Sequence, residues 1–167
     1  MTDPLNHRPL QQVKVLVTRP QQRAAGLCRK IDQAGGIPIL FPAIEITEPS
    51  DTRSREYARA HLAEFSLAIF ISPTAAEKTL EFIDAIPANV RISAIGSRTA
   101  STLQSLGQGI DVIPEGHDSE ALLGHQALQQ DRIAGKKILI FRGEGGRELL
   151  GDTLRSRGAE IIYADMY

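Results

Sequence analysis

The sequence contains no tryptophan, and only 5% of its 167 residues are aromatic. Proteins that hold single-stranded nucleic acid stack the bases on aromatic side chains, so this composition argues against that class. The 19 basic and 20 acidic side chains leave a net charge of −1. The chain therefore lacks the basic surface that nucleic acids and anionic membranes attract, and we expect neither as a partner.

A single cysteine, Cys28, excludes an internal disulfide framework. No apolar run approaches the roughly 20 residues that a membrane-spanning helix needs, and the opening residues MTDPLNHRPLQQ lack the apolar centre of a signal peptide. No spacing of histidine, cysteine and acidic residues is typical of a metal site. These absences predict a cytoplasmic protein of bacterial type without a metal site.

The residues that are present alternate between short apolar runs and segments of helical period. The apolar runs predict strands at 13–17, 37–40, 67–71, 90–95, 110–113, 138–141 and 160–163, and the second of these is expected to continue through 41–46. Helices are predicted at 20–34, 57–63, 74–83, 97–106, 119–130 and 147–157. This order predicts an α/β fold of parallel sheets flanked by helices, with ligands at the carboxyl ends of the strands.

The chain contains an internal repeat at an offset of 123 residues. The segment KVLVTRPQQRAAGLCRKIDQAGGIPIL from Lys14 aligns without a gap with KILIFRGEGGRELLGDTLRSRGAEIIY from Lys137. Arg19 meets Arg142 and Gly35 meets Gly158 in this alignment. Both copies therefore predict the same order of strand, arginine, loop, helix, glycine and strand.

The glycine cluster after the second copy's strand invites a nucleotide-binding interpretation, which the sequence does not favour. Glu148 occupies the third glycine position of the G-x-G-x-x-G fingerprint, and no G-K-[ST] motif is present. The first copy has PQQ at 20–22 in place of Gly143, Glu144 and Gly145, so the turn itself does not require glycine. Glu144 would also place negative charge where a phosphate should bind.

Six segments, in this order, resemble the uroporphyrinogen-III synthase family. They are VLVTRP at 15–20, LFPAIEI at 40–46, IFISPTAAE at 69–77, AIGSRTASTL at 94–103, PEGHDSEALL at 114–123 and GKKILIFRGEGGRELLGDTLRSRGAEI at 135–161. Each segment is short and weakly specific, whereas their common order over nearly the whole chain is specific.

The resemblance implies two flavodoxin-like α/β domains in tandem, joined by a two-stranded linker. Residues 1–40 would begin domain 1, 41–49 would form one linker strand, 50–163 a complete domain 2, and 164–167 the return linker. The remaining elements of domain 1 would be missing, so the chain would be C-terminally truncated relative to the family. An isolated βαβ unit cannot bury both faces of its strands. Three arrangements stay open for it: disorder, a swap into another chain, or docking on a separate fragment.

The chemistry implied by the resemblance is that of a cofactor-free lyase of tetrapyrrole and heme biosynthesis. Its substrate, hydroxymethylbilane, carries eight carboxylates and closes to uroporphyrinogen III with inversion of ring D and loss of water. Backbone N–H groups at helix N-termini suit such carboxylates. The substrate-binding residues implied are Thr18, Arg19, Ser72, Pro73, Thr74, Ala75, Gly96, Ser97, Thr99, Arg142, Gly143 and Gly145.

Several of these residues have structural explanations that stay open. Ser72 fits a helix N-cap with Pro73 at the first helical position, and Thr74 with Glu77 fits a capping box. Arg142 could clamp Glu144 or the linker instead of substrate. Thr99 could be a helix-start hydroxyl without contact to substrate.

The resemblance also aligns Tyr167 with a linker tyrosine proposed to protonate the leaving hydroxyl. A tyrosine exposed at a chain end is the alternative explanation. Two other functions stay open for the chain as a whole. One is a catalytically inactive binding or interaction module, and the other is a flavodoxin-like protein that binds small anions.

Overall fold

The computed structural model describes residues 8–146 and 148–167, and the chain divides into two compact units, Met1–Thr47 and Glu48–Tyr167. The first unit contains β1 (Lys14–Val17), α1 (Gln21–Gln33) and β2 (Ile37–Leu40). The second unit contains α2 (Arg53–Ala60), β3 (Leu67–Phe70), α3 (Pro73–Phe82), β4 (Arg91–Ala94), α4 (Ser97–Ser105), α5 (Ser119–Gly124), α6 (Gln130–Ile133), β5 (Lys137–Arg142), α7 (Leu149–Ser156) and β6 (Glu160–Asp165). None of these helices is long and apolar enough to cross a bilayer.

The first unit is a parallel βαβ arrangement with one helix against its strands. Val17, Ala24 and Ile31 are buried between β1 and α1. On the strands themselves Leu16 is 57% exposed and Ile37 48% exposed, because a single helix covers only part of a two-stranded sheet. The first unit therefore presents an apolar strand face.

The two copies of the repeat adopt the same pairing. Lys14 pairs with Ile37 in the first unit, and Lys137 pairs with Glu160 in the second. Both pairs are parallel and are related by the 123-residue offset of the sequence repeat. The helices end alike, since Gly35 and Gly158 have φ angles of +84° and +87°, values that favour glycine. The predicted equivalence of the two βαβ units is thus confirmed in register.

The second unit is built on a parallel sheet of strand order β4-β3-β5-β6. Numbered within the unit, this is the order 2-1-3-4 that flavodoxin-like sheets share. β3 is completely buried, as its continuous apolar sequence LAIF predicts for a strand covered on both faces. The α/β fold with parallel sheets flanked by helices is confirmed.

Two apolar layers enclose this sheet. Phe70 and Phe141 stack with ring centroids 4.8 Å apart on the face covered by α2, α3 and α4. Ile69 and Ile140 point to the opposite face, where Leu154 of α7 packs with residues of α5 and α6. Side chains of alternate strand residues thus supply both layers.

Three predicted elements are wrong. Residues 110–113 do not form a strand, and only Val112 makes a bridge to Ser93. The carboxylate of Asp111 accepts the N–H of Ile92 in β4 at 2.7 Å. This side chain takes the place of a main-chain carbonyl that a neighbouring strand would provide. Residues 41–46 are irregular rather than a continuation of β2, and Pro42 has no N–H for a ladder.

The helix predicted at 119–130 is broken into α5, a 3₁₀ turn at Gln126–Leu128, and α6. The break follows Gly124, the last residue of α5. His125 is extended, and its Nδ1 accepts the N–H of Ala127 at 3.1 Å. Its imidazole therefore caps the next turn and stops α5 from continuing.

We expect Gly158→Ala to lower the free energy of unfolding of the second unit by about 1–2 kcal/mol, because an L-residue is strained at this positive φ. Urea unfolding followed by circular dichroism measures the change. Gly124→Ala is the matched control, since an added Cβ there meets open space. An equal response of the two variants would contradict the assignment.

Candidate functional site

The candidate site lies where β3 and β5 are neighbours in the sheet. The helix after β3 packs on one face of the sheet, and the helix after β5 packs on the other. The two loops therefore diverge from the carboxyl ends of adjacent strands and leave a crevice, the usual ligand position in an open α/β sheet. Ser72 follows β3, and Gly143 follows β5.

Ser72 and Tyr167 meet at this crevice. The Ser72 hydroxyl is 3.0 Å from the Tyr167 hydroxyl, and it also accepts the N–H of Ala75 at 3.0 Å. The predicted N-cap at Ser72, with Pro73 first in the helix, is confirmed by that second hydrogen bond. The N-cap and the tyrosine contact coexist, so the structural explanation of Ser72 does not displace a functional one.

The loop after β5 fits closely around Tyr167. A Cβ on Gly143 would lie 2.7 Å from the tyrosine ring, so a side chain at this position would displace the ring. The Glu144 N–H donates to the main-chain oxygen of Tyr167 at 2.8 Å. The Glu144 carboxylate accepts two hydrogen bonds from Ser50, one from its main-chain N–H at 3.0 Å and one from its side-chain hydroxyl at 2.6 Å. These two hydrogen bonds lower the pKa of Glu144.

Arg142 is held by two carboxylates at the end of β5. Its Nη1 donates to Glu148 at 2.7 Å and its Nε to Asp165 at 2.9 Å. The guanidinium also lies 3.8 Å from the centroid of the Tyr163 ring. The hydrogen bond from Arg142 lowers the pKa of Glu148. Burial raises the pKa of Tyr163, and the nearby Glu148 carboxylate raises it further. Nε and Nη1 of the arginine are thus engaged by Asp165 and Glu148, so the predicted clamp on Glu144 is wrong. Substrate binding by Arg142 stays a prediction.

A cleft of about 450 Å³ opens beside the start of α4. The first N–H groups of any helix lack intrahelical acceptors. Because Gly96 has no side chain to cap α4, these N–H groups can bind an anion. Thr99 is buried, whereas Ser97 is exposed. The lining residues are Ile71, Pro73, Ile95, Gly96, Ser97, Arg98, Thr99 and His117. The cleft thus joins two of the three helix starts predicted to bind carboxylates.

The other predicted site residues are placed as follows. Ala75 is buried and Thr74 half-buried in the first turn of α3, and Gly145 is exposed with φ +74°. Thr18 and Arg19 follow β1 in the first unit and are both exposed. Within residues 8–146 and 148–167, no group of three histidine, cysteine, aspartate or glutamate side chains could hold a metal ion.

Sequence reasoning missed the acidic partners of this site. Asp165 lies on β6 directly opposite Arg142 of β5, so correct strand register would have revealed the pair. In the sequence, Glu148 stands out only because it replaces the third glycine of the G-x-G-x-x-G motif. No local signal in the sequence indicates that Ser50 reaches Glu144, because the two residues are 94 positions apart.

The sequence profile of the uroporphyrinogen-III synthase HemD family matches residues 26–167. The chain belongs to this family. It is 36% identical to uroporphyrinogen-III synthase of Escherichia coli and 35% identical to that of Salmonella typhimurium, covering 93% of this chain and 64% of each relative. It is 31% identical to the enzyme of Proteus mirabilis and covers 79% of that protein. The chain thus spans less than two thirds of the length of the first two uroporphyrinogen-III synthases.

Solved structures share the fold of this uroporphyrinogen-III synthase family member. A mutant uroporphyrinogen III synthase of Thermus thermophilus superposes with a TM-score of 0.64 at 18% identity, over 92% of this chain and 61% of that one. The wild-type protein of the same bacterium gives a TM-score of 0.59 at 19% identity. At these identities the likeness extends to the fold alone.

We expect Asp165→Asn to lower the free energy of unfolding by about 1–3 kcal/mol, because Arg142 would lose a charged hydrogen-bond acceptor in a half-buried setting. Urea denaturation at neutral pH measures the loss. Asp152→Asn is the control, because Asp152 pairs with Arg155 on the surface, where the two side chains are 65% and 43% exposed. That variant should change stability by less than about 1 kcal/mol. Equal losses would contradict a structural role for Asp165.

The stability that Glu148 contributes should depend on pH. Its pKa is lowered in the folded state from the ordinary value of 4.5, so its contribution is complete above that value. The contribution is lost as pH falls through the lowered folded-state pKa. We therefore expect wild type and Glu148→Gln to differ in unfolding free energy at pH 7 and to converge in acid. Urea unfolding across this range is the measurement, and a difference independent of pH would contradict the assignment.

Proposed function

We propose that this chain forms a uroporphyrinogen-III synthase site and closes hydroxymethylbilane to uroporphyrinogen III. The observation that carries the proposal is the position of the Tyr167 hydroxyl, at the carboxyl edge of the β3–β5 crevice and in contact with Ser72. Family membership supports the same reaction. No cofactor or metal enters this proposal.

The reaction begins with loss of the terminal hydroxyl of hydroxymethylbilane. That hydroxyl accepts a proton and departs as water, leaving an electrophilic azafulvene. Ring D then attacks through a spiro intermediate, so that it is inverted in the product, whereas uncatalysed closure gives isomer I without inversion. The protein must therefore bias the conformation of a bound chain as well as assist a leaving group.

In this proposal Tyr167 is the proton donor to the leaving hydroxyl. A phenol carries one O–H proton, which it can donate to a leaving oxygen as a general acid. The contacts of Glu144 and Gly143 hold Tyr167 beside Ser72, which limits the positions from which the proton can be delivered. Placement in this way lowers the entropic part of the barrier.

The carboxylates of the substrate would bind at the helix starts around the cleft. The open N–H groups of α4 and the first turn of α3 share one cleft, and the positive ends of both helix dipoles favour anions. The loop of Gly143 and Gly145 offers additional backbone N–H groups for an acetate or propionate arm. Thr18 and Arg19 stay predicted substrate ligands, because a strand-end arginine suits a carboxylate.

The test is a ring-closure assay on the 167-residue chain. Freshly prepared hydroxymethylbilane is supplied, and the ratio of isomers III and I is measured by chromatography. We expect an excess of isomer III, and we expect Tyr167→Phe to lower its rate of formation by roughly 10²-fold, as loss of a general acid does. Tyr57→Phe is the control, because this tyrosine lies in α2 and stacks on His61.

Formation of isomer I alone by the wild-type chain would contradict the proposal. Binding of hydroxymethylbilane without closure would instead favour the inactive binding module. Binding of inorganic phosphate without any binding of the tetrapyrrole would favour the small-anion protein.

A further inference from the structure

We propose that Ser72 is a positioning residue for Tyr167, and that its hydroxyl donates a hydrogen bond to the phenol oxygen. The phenol proton is then left directed toward bound substrate. This inference rests on the proposed function, in which Tyr167 protonates the leaving hydroxyl, and it assigns to Ser72 a role other than direct contact with a carboxylate.

Counting protons and lone pairs allows this hydrogen bond two directions, and the proposed function requires Ser72 to be the donor. A serine hydroxyl has one proton to donate and two lone pairs to accept with. One lone pair of Ser72 takes the Ala75 N–H, and its remaining contact among residues 8–146 and 148–167 is the Tyr167 hydroxyl. If Tyr167 were the donor, its proton would be held by Ser72 and withdrawn from substrate. With Ser72 as donor, the phenol oxygen accepts and the phenol proton remains available to bound substrate.

The helix behind Ser72 strengthens this donation. Ser72 caps α3, a helix of ten residues, so the Ala75 N–H that it accepts belongs to the positive end of the helix dipole. An N–H that polarises the Ser72 oxygen makes its O–H a better donor, since chained hydrogen bonds reinforce one another. The chain from the Ala75 N–H through Ser72 therefore ends on the oxygen that must lose a proton.

The proton balance closes with these two residues. Tyr167 gives its proton to the leaving oxygen while the carbon–oxygen bond breaks and its electron pair stays with that oxygen, releasing water. The phenolate that remains is stabilised by the Ser72 O–H. A proton released when the closed macrocycle regains aromaticity restores the phenol. Neither an oxidant nor a reductant is required.

The main chain around Tyr167 limits how far its ring can move. The Met166 N–H donates to the Arg142 oxygen at 2.8 Å, and the Met166 side chain is completely buried. The Glu144 N–H holds the next main-chain oxygen, and Gly143 lies against the ring. The backbone of the tyrosine is thus fixed independently of Ser72, and Ser72 fixes the direction of the phenol O–H.

Nuclear magnetic resonance of the full chain tests the contact without any need for activity. The protein is labelled with ¹³C at the Cζ atom of tyrosine, which gives three signals because the chain has three tyrosines. Tyr167→Phe identifies the signal of Tyr167. We expect Ser72→Ala to shift that signal and leave the other two in place, and we expect Ser72→Thr, which keeps a hydroxyl and a cap, to retain the wild-type position.

Asp118→Ala is the matched control for loss of a helix cap. Asp118 caps α5 by accepting the Ala121 N–H at 2.8 Å, so this variant loses a comparable hydrogen bond away from Tyr167. It should leave the Tyr167 signal unchanged. A shift of equal size in Asp118→Ala would mean that the signal reports general loosening, and an unmoved signal in Ser72→Ala would mean that the contact is not formed. Either result would overturn the inference.

Kinetics of ring closure test the catalytic consequence. We expect Ser72→Ala to lower kcat for isomer III by roughly tenfold, an effect of misplaced geometry, with KM changed less than about twofold because no substrate contact is removed. Ser72→Thr should restore kcat. A rise in KM with unchanged kcat would identify Ser72 as a substrate ligand and overturn the inference. If wild type forms only isomer I, the proposed function has failed for this chain, and the Tyr167 signal alone decides whether Ser72 holds the phenol.

Discussion

The second unit depends on the parallel pairing of β5 with β3 on one side and β6 on the other. This pairing puts the carboxyl ends of strands that are distant in sequence at one edge of the sheet. Phe70 lies beside Phe141, and Arg142 lies beside Asp165, as direct results of that register. The crevice, the ion pairs and the position of Tyr167 all follow from it.

Arg142 holds three segments of the candidate site together by pairing with two carboxylates. Its guanidinium joins Glu148 of the loop to Asp165 of the last strand, and the Tyr163 ring lies against it. A single side chain therefore ties together the end of β5, the start of α7 and the end of β6. Under the proposed function, such a brace would help to hold a flexible polycarboxylate in one conformation, since fixed groups need no reorganisation during a reaction.

The sequence was informative wherever one strand or one turn decides the outcome. Leu67–Phe70 is apolar without interruption and forms a strand buried on both faces, and Ser72 before Pro73 forms the N-cap that these residue types predict. The repeat predicted the same order of elements in its two copies, and the structure adds that they share one strand register. Prediction was wrong where a side chain competes with the backbone, as Asp111 does beside β4 and His125 does after α5.

The sequence indicates a carboxyl edge for the candidate site, but it does not indicate the contacts that the structure forms there. Helix starts after parallel strands identify the carboxyl edge from sequence alone, whereas the partners of Arg142 and Glu144 depend on tertiary register. Ser50 shows the limit most clearly, because its hydrogen bonds to Glu144 join segments with no shared motif. Long-range polar contacts of this kind are determined by the packing of the whole sheet.

The strand order also determines when this unit can fold during synthesis. β3 can pair with β4 once both have left the ribosome, but its other edge has no partner until β5, about seventy residues later, has been made. Closing the long loop between β3 and β5 costs conformational entropy before the two strands gain contacts, so we expect their pairing to form late. Until then an apolar, unpaired strand edge is presented to the cell, which is a surface that chaperones bind and that other nascent chains can pair with.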